Sequence, residues 1–101
     1  MRARGVDGIV VALCADFARR ERVIAERSEP HRVELEYRYL NFKIMSAAAS
    51  LCGERDGRVL IDEIGSETGY AGSALSYYSE ISYKRLKRAV KDGIATSLNL
   101  K

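Results

Sequence analysis

The 101-residue chain has no tryptophan, one proline, one histidine and two cysteines, and each shortage closes off a class of function. The lone histidine, His31, follows Pro30 at a helix start, with no serine, cysteine or carboxylate motif around it to form a nucleophile and base. It reads as a surface or capping residue. Cys14 and Cys52 each sit within an apolar helical pattern without a second metal-ligand cluster, so reduced, buried thiols are expected. Asp62 and Glu63 adjoin and point to different sides of a helix, which makes them poor paired carboxylates, and no glycine-rich loop ending in Gly-Lys-Ser/Thr is present. The expectation is a protein without catalysis, metal or cofactor. The longest apolar stretches, Ile9 to Cys14 and Ala47 to Cys52, are far shorter than the roughly 20 residues that span a bilayer. Neither is built like a secretory signal, so a cytoplasmic location is expected.

What is present describes one folded domain over residues 1–101. Hydrophobic residues make up 47% and charged residues 31%, well away from the composition of disordered chains. The net charge of +3 is small, but its distribution is uneven: residues 83–91 hold Lys84, Arg85, Lys87, Arg88 and Lys91 with no acid among them.

Val6, Ile9, Val10, Leu13, Phe17 and Ile24 fall at helical spacing and predict one amphipathic helix over about residues 6–27. Pro30 then interrupts, with Ser28 or Glu29 as the cap of the next helix. From His31 to Leu51, the positions Val33, Tyr37, Leu40, Ile44, Ala47 and Leu51 make one apolar stripe, and Leu35, Tyr39, Phe42 and Met45 or Ser46 make a second. Two stripes need two neighbours: the helix is either central to the domain or packs its outer line on another subunit. Gly53 ends it as a left-handed cap, and Gly53 to Gly57 reads as a polar turn. A short helix from Val59 to about Glu67 and a helical pattern running through Leu98 complete an all-α chain of four to five helices. Residues 6–52 form the core or dimerisation hairpin in this reading, and residues 58–98 carry the function.

A helix-turn-helix restricts particular positions, and residues 59–78 meet most of them. Gly65 stands where the helices approach closest, and Gly69, four residues on, where a turn requires positive φ. Ile64, Tyr70, Leu75 and Tyr78 take the buried positions. The exposed face of the second helix would then present Ala71, Ser73, Ser76 and Tyr77 to a major groove. Ser73, Ser76 and Tyr77 can bond bases or phosphates, but no side chain there makes bidentate base contacts. Beyond it, Lys84, Lys87, Arg88 and Lys91 line one side of a helix whose other side carries Leu86 and Val90, a basic stripe suited to phosphates. Arg85 belongs to the same cluster, and Arg2 and Arg4 make a short basic N-terminal arm.

The segments Ile61-Asp62-Glu63-Ile64-Gly65, Thr68-Gly69-Tyr70 and Ser82 to Val90 resemble the C-terminal half of small phage and prophage late-gene transcription activators. The helix-turn-helix of that group is similar to the promoter-reading region of sigma factors. The resemblance covers residues 59–98 and implies a transcription regulator that binds duplex DNA, with RNA polymerase as a further partner. In sigma-like motifs the basic residues begin just after the turn, whereas here they arrive about three turns later. Either Ser73 to Tyr78 or Ser82 to Ile94 would therefore face the DNA. The numerous tyrosines support the alternative of a phage assembly or adaptor module that uses its helices for packing.

Overall fold

In a computed structural model, residues 4–26 and 32–100 are described. The capping expectations at Ser28 and Glu29, the helix break at Pro30, the surface reading of His31 and the arm residue Arg2 lie outside these. The described residues are all-α: α1 (Arg4–Ala15), α2 (Phe17–Glu26), α3 (Arg32–Ser66), a 3-10 turn (Tyr70–Gly72) and α4 (Glu80–Ser97). α3 is the hub and packs against each of the other three helices. Val10, Cys14 and Phe17 meet Ile44, Ala48, Leu60, Ile61 and Ile64 of α3 in the core, joined by Leu75 and by Tyr83, Val90, Ile94 and Ala95.

The single helix expected over residues 6–27 bends at Asp16 into α1 and α2. Backbone bonds carry on through the bend, from Asp16 N–H to the Ala12 carbonyl and from Arg20 N–H to the Asp16 carbonyl. The Arg20 side chain holds the junction. Its guanidinium donates to the Leu13 carbonyl at 2.6 Å and to Asn41 Oδ1 at 2.7 Å, while Asn41 Nδ2 donates to the Phe17 carbonyl. A side chain that takes a carbonyl from the helical ladder is a recognised cause of a kink. Arg20 is thus buried, and the loss of water pulls its pKa below the ordinary arginine value.

Gly53 ends the first part of α3, as expected, with φ +86°, a conformation that glycine adopts without a Cβ penalty. The polar turn expected after it is absent. Helix resumes at once, so the second part of α3 starts about five residues before Val59. Along residues 32–52 the buried line is Glu34, Asn41, Ile44 and Ala48, and Val33 and Leu51 of the expected inner stripe are exposed. The face was displaced because polar side chains occupy part of the interior: Asn41 serves Arg20, and Glu34 accepts a forked pair of hydrogen bonds from Arg38.

α3 closes at Glu67, whose φ is +56°. Thr68 N–H reaches back to the Glu63 carbonyl at 3.0 Å and Glu67 N–H to the Ile64 carbonyl at 3.2 Å, the paired bonds of a Schellman cap. Asn99, with φ +59°, closes α4 in the same way through Leu100 N–H to Ala95 and Asn99 N–H to Thr96. α4 therefore passes the Asp92-Gly93 pair without stopping.

Candidate nucleic-acid interface

Gly65 is a point of closest helix approach, but the helix it meets is α1. A Cβ placed there would lie 2.5 Å from the Ala15 nitrogen and 2.8 Å from the Cys14 carbonyl carbon. Gly69 has φ −88°, so the left-handed turn position falls to Glu67 and not to this glycine. The second helix expected at Ala71 to Tyr78 is absent as well. Its place is taken by the 3-10 turn and a run of turns, and α3 and α4 are joined by residues 67–79, well beyond the three or four residues of a tight helix-turn-helix.

Side-chain hydrogen bonds account for this shape. Glu63, buried near the end of α3, accepts from the Ser73 hydroxyl and the Tyr83 hydroxyl at 2.7 Å each and from Ala74 N–H at 2.8 Å. Ser73 Oγ in turn accepts from Leu75 N–H, a local turn that competes with helix. The Tyr70 hydroxyl shares its proton between the Ser76 and Tyr78 carbonyls. Burial, followed by the Glu63 hydrogen bond, pushes the Tyr83 phenol up to about 12. Burial pushes the Cys14 thiol to about 12 too, so this free cysteine stays protonated and unreactive at neutral pH. Asp62 and Glu63 do point to different sides, Asp62 lying exposed beside Arg58.

Glu63→Gln is expected to cost about 2–3 kcal/mol, because the amide NH2 must face one of three donors and leaves a buried hydrogen bond unmade. Urea unfolding measures it. A loss below about 0.5 kcal/mol would remove Glu63 from its role as the anchor of residues 67–79.

This arrangement divides the DNA-facing residues expected from the sequence. Ser73 is buried on Glu63 and is withdrawn from the exposed face. Ser76 and Tyr77 are exposed, but the Tyr77 hydroxyl donates to Asp56 Oδ1 at 2.6 Å and its ring stacks on Tyr78. Asp56 belongs to the first turn of the second part of α3, about 15 Å of helix from the end that Lys87 reaches. Tyr77 is thus held on Asp56 and is not among the residues that line the basic groove.

The basic residues do come together. Ser79 caps α4, its hydroxyl accepting from Ser82 N–H, and Tyr83, Val90 and Ile94 turn inward at helical spacing, which leaves the cations outward. Lys84, Lys87, Arg88 and Lys91 line a groove of about 290 Å³ with Asp92 and, across from α4, Asp7 of α1. Lys91 pairs with Asp7 at 3.3 Å and Lys84 with Glu80 at 3.0 Å, both at the surface. Lys87 donates to the Thr68 carbonyl at 2.6 Å and lies over the Tyr83 ring, and burial lowers its pKa from the ordinary lysine value. Arg85 and Arg88 are exposed and carry no ion pair among the described residues. Asp7 was not legible as part of this site, since nothing in a one-dimensional pattern links it to Lys91.

Among the described residues no group of histidine, cysteine, aspartate and glutamate is arranged to hold a metal, and no helix is long and apolar enough to cross a membrane. Compared with protein-family models, curated proteins and solved structures, the chain matches none.

Proposed function

We propose that the protein binds duplex DNA without catalysis, through the outward face of α4, and acts as a phage-type transcription regulator. The observation that supports this is the convergence of Lys84, Lys87, Arg88 and Lys91 on one groove, with Arg85 beside them on the exposed side of the same helix. Phosphate binding is driven by cations that release condensed counterions, and an α-helix fits the major groove. Arg85 and Arg88, free of internal partners among the described residues, can dock phosphates or make the forked contact to guanine. Of the two helices left open by the sequence, this reading assigns the DNA to the later one, Ser82 to Ile94. RNA polymerase is the further partner that the resemblance to late-gene activators implies. A fluorescence-anisotropy titration with mixed-sequence duplex DNA at low and moderate salt tests the proposal, which requires binding at low salt that weakens as salt rises.

A further inference from the structure

Among the described residues, no other helix covers the outer stripe of α3, which stays largely in water. Leu35, Tyr39 and Phe42 are 55%, 54% and 68% exposed. They fall at the a and d spacing of a helix seam, with Arg32, Glu36 and Lys43 along one flank and Arg38 on the other. A groove of about 500 Å³ lined by Leu35, Tyr39 and Leu40 runs on one side of the stripe, and one of about 590 Å³ lined by Phe17, Ile24, Asn41 and Phe42 on the other. A ridge flanked by grooves is the form of a surface that packs on another helix.

We infer that this stripe is the interface of a homodimer in which α3 pairs antiparallel with α3 of a second copy. Area supports that occupant. An aromatic side chain carries about 150–250 Å², so the three residues leave roughly 300–400 Å² of apolar surface in water, a patch of the size that is often functional. With the stems of Arg32, Glu36 and Lys43, the contact reaches about 600 Å² per copy, enough for a specific interface of more than about 1,000 Å² in total.

Charge selects the direction. A seam that sets Tyr39 against Phe42 of the second copy places Glu36 within about 3 Å along the axis of Lys43 of that copy, and symmetry repeats the pair. A parallel seam would set Arg38 beside Lys43, like charge against like. The inference is independent of DNA binding, since no residue of α4 takes part.

Sedimentation equilibrium on the full chain tests it. The expected mass at about 50 μM is twice 11.3 kDa. Phe42→Asp, at a side chain mostly in water, should weaken association at least about tenfold with an unchanged helical circular-dichroism spectrum. Glu36→Lys and Lys43→Glu should each weaken it severalfold, and the double reversal should restore it. A wild-type mass of 11.3 kDa up to about 200 μM would overturn the inference, and so would a dimer indifferent to Phe42→Asp. A double reversal no better than either single change would overturn the antiparallel pairing.

Discussion

Gly65→Ala is expected to lower the melting temperature by roughly 12–24 °C, the largest effect of alanine at any glycine among the described residues. The new Cβ would meet the Ala15 nitrogen at 2.5 Å, Ala15 Cα at 2.6 Å and the Cys14 carbonyl carbon at 2.8 Å. These are backbone atoms, which cannot rotate away as a side chain can. The end of α1 must shift as a unit, and Val10, Cys14 and Phe17 around the junction lose their fit in the core. Such overpacking costs about 3 kcal/mol, and each kcal/mol moves the midpoint of a domain of this size by about 4–8 °C. Gly69→Ala is the matched control: its Cβ would meet nothing within 4 Å, and its φ of −88° suits any residue, so stability should hold or rise by a few tenths of a kcal/mol. Thermal unfolding by circular dichroism reads both. A large loss at Gly69 with none at Gly65 would mean that the positive-φ turn expected from the sequence forms after all.

The combined change of Lys84, Arg85 and Arg88 to alanine is expected to weaken duplex binding on the order of 100-fold at about 0.15 M salt and to flatten the salt dependence by about 3 units. Three cations that each release about 0.9 counterion account for both figures. These three are chosen because they are exposed and their loss leaves the fold alone. Lys87 is different: it holds the Thr68 carbonyl and packs on Tyr83, so its removal mixes binding with stability. Anisotropy titrations at several salt concentrations give affinity and slope together. An unchanged slope would remove α4 from the phosphates.

The all-α class was legible because apolar residues recur at helical spacing over long stretches of the chain. Gly53 was legible as a break, since glycine before a charged stretch signals a positive φ, and the structure has φ +86° there, with an extended ψ in place of the expected left-handed cap. Gly65 was half legible. Its smallness marked a close approach, but the sequence cannot say which backbone approaches, and Ala15 lies fifty positions away. Residues 70–78 misled because Tyr70, Leu75 and Tyr78 have a helix-like spacing, while their placement is governed by hydroxyl groups that periodicity does not register. Tyr70 binds carbonyls of its own loop, and Tyr78 donates to Asp56 across the fold. The buried polar residues were invisible for a related reason: Arg20, Asn41 and Glu63 look like surface residues until their partners, 7 to 24 positions distant, are in place. At the candidate interface, the basic stripe was legible from charge and helical spacing alone. The tie of Tyr77 to Asp56 was not, because a hydrogen bond across 21 positions leaves no mark in periodicity.

The most direct measurement of the central claim is the salt dependence of duplex binding by the unaltered protein. If the cations of α4 dock on phosphates, the logarithm of the binding constant should fall against the logarithm of salt with a slope of about −3 to −4.5, for three to five contacts. Failure to bind duplex DNA at about 50 mM salt, or a slope shallower than about −1, would contradict it.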